Sequence, residues 1–261
     1  MDYDAIAHRY DRRYEHTDYG GVEAVLMDFA GDNRARRILD VGCGTGHWLG
    51  RFADHSFVHL AGVDPSSQML AVAAARVAQA DLRRASAESL PWPDDTFDRV
   101  CCVNALHHFD DPPRFVAEAR RVLRPGGGLV TVGLDPHTGT DRWAVYDHFD
   151  GTLDADRQRY PPAAGIRSWL RTAVFVDVCT FEAQHFQAPR RALAALAAGH
   201  LDKAATSQLE LLSDAAYREG IAGITRRAQE AQRRGETLML RCDLRLYATV
   251  GWRGCSGRPL A

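Results

Sequence analysis

The sequence predicts an α/β fold, a mostly parallel sheet with helices on both faces. Two observations predict it. Short apolar runs of strand length alternate with amphipathic stretches of helical period, and a glycine loop joins the end of the first run to the start of the next helix. Parallel neighbours cannot be joined by a hairpin, so each strand–helix–strand repeat must carry its helix over the sheet as a crossover.

In chain order, the strand candidates are Arg37–Val41, Val58–Val63, a weaker run at Leu82–Ala85, Phe97–Val103 and Leu129–Leu134. Helical stretches lie between them at His47–Phe52, Ser67–Ala80 and Pro113–Leu123. In the last of these Phe115, Val116, Ala119, Val122 and Leu123 recur at helical spacing. Ahead of this core, Tyr3–Tyr14 and Val22–Ala30 read as a helical cap broken at Tyr19-Gly20-Gly21. Beyond it, Asp135 to Gly139 is a loop, and aromatic-rich helical pieces continue to Leu170. The run Val174–Phe186 alternates apolar and polar residues as a half-exposed or edge strand does. Helices are expected at Arg190–Ala198 and Asp214–Arg234, and Leu238–Val250 alternates strongly enough to enter the sheet as its last strand. About seven strands fit one domain: a cap over 1–35, a core over 36–134, an insertion over 135–173 and a C-terminal part of the sheet over 174–261.

Composition narrows the function. With 261 residues, 46% hydrophobic and 25% charged, the chain is of ordinary globular type. A formal net charge of -2 argues against nucleic acid or an anionic membrane as partner, and points to a small molecule. Lys203 is the single lysine, all other basic residues being arginine. That excludes the P-loop lysine and disfavours Schiff-base chemistry. The six cysteines show neither zinc-ligand spacing nor a disulfide lattice. The charged N-terminus and the lack of a long apolar run place the protein in the cytoplasm as an expectation.

The strongest local signal is Asp40-Val41-Gly42-Cys43-Gly44-Thr45-Gly46, which closes a strand and opens a helix. Glycines there let the chain turn sharply and let a ligand lie against bare main chain. Asp64 follows Gly44 by 20 residues, at the end of the next strand, where a carboxylate can accept hydrogen bonds from a ribose diol. A tight turn followed by an Asp that caps the next helix is the plainer alternative, and the spacing of loop and acid favours the ligand. Dinucleotide sites call for a further glycine where this chain has His47, which counts against a nicotinamide-dependent oxidoreductase.

With these residues in view, the chain resembles the class I S-adenosylmethionine-dependent methyltransferases, small-molecule branch. The glycine loop is similar to their first motif and Gly62-Val63-Asp64-Pro65-Ser66 to their second. The resemblance continues through Ser86 to Asp98, Asn104 to Phe109 and Leu123 to Gly128, so that it spans residues 36–134. It implies a Rossmann-like fold with the last strand antiparallel, S-adenosyl-L-methionine as cofactor and transfer of a methyl group to a small organic acceptor. It further implies that Gly42, Cys43 and Gly44 line the methionine portion, that Asp64 holds the ribose, and that Asp40 belongs to the same cofactor site. Pro65 and Met69 would pack near the adenine, Ala87 and Glu88 at its polar edge, and Asn104 and Ala105 beside the sulfonium. Tyr10 and Tyr14 resemble cap residues that close over the cofactor; packing aromatics on an ordinary helix remain the alternative.

A methyl transferase chiefly aligns its reactants. A histidine titrating near neutrality can take the acceptor's proton, which makes His108 the first candidate base and His107 the second. A packing or cofactor-support role for this pair stays open. Trp143, Tyr146, His148, Phe149, Tyr160 and Trp169 are where acceptor choice is expected, and an aromatic or apolar acceptor follows if they line a pocket. Asp110 and Asp111 read as the start of a helix rather than a metal site, and no metal is expected. Cyclisation or other non-methylating use of the cofactor, and a non-catalytic cofactor-binding module, are the remaining alternatives.

Overall fold

The computed structural model describes residues 11, 14, 17–31, 36–57 and 59–254. The chain divides into two compact units, one of residues 2–134, 161–184 and 246–261, the other of 135–160 and 185–245.

The larger unit is built on a twisted sheet. Strands β1 (Arg37–Val41), β2 (His59–Asp64), β3 (Asp81–Arg84), β4 (Phe97–Val103) and β5 (Leu123–Leu134) run parallel in the order β3-β2-β1-β4-β5. Helices α1 (Gly20–Ala30), α2 (His47–Asp54), α3 (Ser67–Arg76) and α4 (Pro112–Val122) belong to the same unit, as does α7 (Ala163–Thr172). Strand β10 (Cys242–Arg253) lies antiparallel beside β5, from Leu246 opposite Leu134 to Trp252 opposite Gly128. Strand β7 (Phe175–Gln187) pairs with β10, and the hydroxyls of Thr180 and Thr249 meet at 2.9 Å.

Alternation along the strands separates the two faces. Leu39 and Val41 of β1, Val63, Val100, Cys102 and Leu129 pack with Phe115, Val116 and Ala119 of α4 and Leu170 of α7. The intervening positions face α1 and α2: a Cβ on Gly62 would sit 2.8 Å from Leu49 of α2, and one on Gly128 would sit 2.9 Å from Phe29 of α1.

Several expected boundaries move. Strand β5 begins at Leu123 rather than Leu129, because Phe97 of β4 pairs with Leu123 before the register shifts. Helix α3 ends at Arg76 rather than Ala80, freeing the chain to turn so that Asp81 pairs with Ala61.

In the smaller unit, β6 (Arg142–Trp143) pairs antiparallel with Cys242 and Asp243. Helices α5 (Ala144–His148) and α6 (Thr152–Arg159) follow. Strand β8 (Arg190–Arg191) takes the first two residues of the expected Arg190–Ala198 helix and pairs with β9 (Met239–Leu240). The helix itself is α8 (Ala192–Ala197), followed by α9 (Ser207–Glu210) and α10 (Asp214–Arg233). Val145, Phe149, Leu209, Ile224 and Leu240 are the larger members of this unit's core.

Candidate cofactor site

A cavity of about 180 Å³ opens in the larger unit at the carboxyl ends of β1, β2 and β4, the edge at which open α/β sheets place their ligands. Its walls are Gly42 and Gly44 after β1, Val63 to Pro65 at the end of β2, and Met69 of α3. Ala85 to Glu88 after β3, and Asn104, Ala105 and His108 to Asp110 after β4, complete it.

The glycine loop is drawn across the end of β2 because the Gly42 and Cys43 amides both donate to the Val63 carbonyl, at 2.9 and 3.1 Å. Gly42 adopts φ +72°, and a Cβ there would run into the Cβ of Ala105. Only glycine is free of both penalties. Asp64 lies against this loop: one carboxylate oxygen accepts from the Gly44 amide at 3.0 Å and the other from the Ser66 amide at 2.9 Å. Ser66 caps α3 through the Met69 amide, so Asp64 stands by a helix N-terminus, where negative charge is favoured. After β4, Asn104 takes φ +51°, a left-handed conformation that asparagine tolerates better than most residues. The single turn that follows, Leu106–His108, is closed by the His108 amide donating to Ala105 at 2.9 Å.

Behind the loop lies Asp40, 1% exposed. The Cys101 thiol approaches one of its oxygens at 3.7 Å, and the other has no hydrogen-bond partner among the described residues. Burial pushes the Asp40 carboxyl up to about 7, and the nearby Asp64 charge adds to the effect. Asp11 and Tyr14 meet the helix side of the loop. Asp11 accepts from the Thr45 hydroxyl at 2.5 Å and pairs with Arg76. The Tyr14 ring stacks on His47 with centroids 3.6 Å apart and meets the edge of Trp48. Burial, with Arg76 nearby, pushes His47 down to about 4, so a neutral imidazole forms this stack at physiological pH.

The structure therefore brings Gly42, Gly44, Asp64, Pro65, Met69, Ala87, Glu88, Asn104, Ala105 and His108 around one cavity. Asp40 and Cys43 are buried, Tyr14 belongs to the aromatic stack on His47, and the His107 ring lies 3.8 Å from that of His108; none of these four is among the cavity-lining residues. Tyr10 lies outside the described residues. Sequence reasoning missed Val63, Ala85, Ser86, Phe109 and Asp110 as wall residues. The signal for Phe109 was an apolar side chain set between His108 and Asp110, just where the turn reverses. In the smaller unit, Phe149 and Tyr160 are 1% and 6% exposed and the Tyr146 hydroxyl donates to Asp156. Their aromatic character builds that unit's interior and is no argument for an aromatic acceptor.

The family described as "Methyltransferase domain" matches residues 39–131, from β1 to β5 and around the whole cavity. Residues 39–131 are therefore similar to the class I S-adenosylmethionine-dependent methyltransferases. An uncharacterized methyltransferase of Bacillus subtilis, YcgJ, is 36% identical over 118 residues, 43% of this chain and 46% of that one. The 27-O-demethylrifamycin SV methyltransferase of Amycolatopsis mediterranei is 39% identical over 100 residues, 36% of this chain and 37% of its relative. The chain thus spans less than half the length of the curated relatives it matches. A candidate methyltransferase from an antibiotic biosynthesis pathway in Anabaena variabilis shares the fold, with a TM-score of 0.69 over 89% of this chain and 97% of that chain at 23% identity. The walls of the cavity suit a cationic nucleoside. Asp64, Glu88 and Asp110 line it, with no arginine or lysine among the described lining residues.

Proposed function

We propose that this chain binds S-adenosylmethionine in the cavity of its larger unit and methylates a small organic acceptor. Asp64 carries the reading: an acid at the end of β2, tied to the Gly44 and Ser66 amides and open to the cavity beside a loop that admits no Cβ at Gly42. When bound, the cofactor supplies a methyl carbon activated by the positive sulfur that bears it. The protein's part is to hold and to align. Gly42 and Gly44 offer bare main chain, Asp64 accepts from the ribose diol, and Pro65, Met69 and Ala87 flank the adenine. Asn104 and Ala105 form the wall at the other end. His108, exposed and on the cavity wall, is the residue placed to take a proton from an acceptor hydroxyl or amine; His107, off the wall, supports it. The smaller unit, which includes residues 135–160 of the expected insertion, is assigned the choice of acceptor.

Calorimetry tests the reading. S-adenosylhomocysteine is expected to bind, and Asp64→Ala to weaken it by about a hundredfold, since two bonds to a carboxylate are lost. Absence of binding to the wild-type protein at millimolar ligand overturns the reading. His108→Ala is expected to keep the affinity and slow turnover. The mass of the spent cofactor then separates methyl transfer, which leaves S-adenosylhomocysteine, from use of its amino-acid tail, which leaves methylthioadenosine.

A further inference from the structure

The side chain of Glu88 is already engaged within the protein. It stands in the loop after β3, half-buried, on the cavity wall. Its Oε1 accepts from the amides of Asp110 and Asp111, at 3.0 and 3.3 Å, across a sequence gap of more than twenty residues. Its main-chain oxygen accepts from Arg114 Nε at 3.2 Å. Asp111 is the N-cap of α4, so the Glu88 carboxylate lies where that helix presents the positive end of its dipole. The two residues ahead of Asp110 are His108 and Phe109, and both line the same cavity. The turn that holds them is fixed at its near end by the Ala105 and Leu106 carbonyls, which accept from the His108 and Phe109 amides. Glu88 fixes its far end. Further along the same loop, Leu90 is gripped by α4 twice: its amide donates to Glu118 Oε2 at 2.9 Å and its carbonyl accepts from Arg121 Nη2 at 2.9 Å.

We propose that Glu88 is a positioning residue, a strut that holds the His108–Phe109 wall against the loop after β3 and so couples the two ends of the cavity. This assigns it an internal contact in place of the adenine contact expected from sequence. What the strut does for the reaction rests on the cofactor reading above; the strut itself does not. Each bond that a backbone amide makes to a carboxylate is stronger than one to a neutral oxygen. Glu88→Gln therefore keeps an acceptor of the same shape and weakens the hold, whereas Glu88→Ala abolishes it.

Two measurements on the ligand-free protein test the strut. Amide hydrogen exchange at Asp110 and Asp111 is expected to be about tenfold faster in Glu88→Ala and intermediate in Glu88→Gln. The His108 ring resonances are expected to move in Glu88→Ala and to return toward their wild-type positions in Glu88→Gln. Wild-type exchange at both amides in Glu88→Ala overturns the strut, and faster exchange with unmoved His108 resonances overturns its positioning role. With S-adenosylhomocysteine added, a loss of affinity in Glu88→Ala while exchange and resonances stay wild-type assigns Glu88 to the ligand and overturns the proposal. Failure of the wild-type protein to bind that ligand would sink the cofactor reading and leave the ligand-free results standing.

Discussion

Asp40 is an acid held where charge is costly. It is 1% exposed, Asp64 stands near it, and burial pushes the surrounding thiols of Cys43 (on the glycine loop) and of Cys101 and Cys102 (on β4) upward as well. Its carboxyl stays protonated up to about 7 in the folded protein, against an ordinary value of 3.8. Between those limits the folded state binds a proton that the unfolded chain does not. The stability that neutral Asp40 confers is therefore complete below the lower limit and lost as pH rises through the upper one. Asp40→Asn keeps the shape and removes the titration. The melting temperature of the ligand-free variant is expected to gain on wild type from pH 5 to pH 8, and a gap that stays constant over that range counts against the buried charge. His47 works in the other direction, its stabilising neutral form being lost as pH falls from 6.5 toward about 4; present in both proteins, it cancels from the comparison.

At the scale of elements, the pairing of β2 with the helix above it hangs on Gly62. A Cβ there would stand 2.8 Å from Leu49 of α2 and 2.9 Å from both the Cys43 sulfur and Leu82 of β3. The added methyl presses on three packed neighbours at once, so Gly62→Ala is expected to cost about 1–3 kcal/mol in urea unfolding. Gly133 of β5 has nothing within 4 Å of the same position, and Gly133→Ala is the control, expected to stay within about 0.5 kcal/mol. Equal effects in the two variants would refute the packing argument. The same contrast explains what was legible in the sequence. β1, β2 and β4 were readable because their apolar runs are local, and the glycine loop with Asp64 was readable because turn, strand end and acid keep a fixed spacing. The first half of β5 was not, since Arg124 to Gly128 carry no apolar pattern and become a strand only by pairing with β4. Nor was β8, whose partner lies some fifty residues away; β9 falls inside the run read as the last strand, but its pairing with β8 was not readable. Glu88 and Phe109 belong to the same class: their roles depend on contacts between loops that local pattern does not encode.

At the scale of the whole molecule, the two units rest on different physics. The larger one is a covered sheet that a ligand can stabilise by mass action. The smaller one has a core of modest size with a charge inside it: Asp156, 0% exposed, accepts from the Tyr146 hydroxyl at 2.7 Å, Gln208 at 2.8 Å and Arg159 at 2.5 Å. Tyr146, Asp156 and Arg159 come from one stretch of that unit and Gln208 from the other, so the carboxylate joins the two chain segments that compose it. Removing one partner of a buried ion pair strands the other, at a cost of about 3–5 kcal/mol. Asp156→Ala is therefore expected to loosen the smaller unit first, seen as faster hydrogen exchange across α5, α6 and α9. S-adenosylhomocysteine at a hundred times its dissociation constant would add about 2.7 kcal/mol to whatever binds it. If that is the larger unit alone, calorimetry of Asp156→Ala should show two transitions, of which the ligand raises only one. A single transition that the ligand raises as a whole would mean that the units unfold together, and that acceptor choice and cofactor hold are not separable properties of this chain.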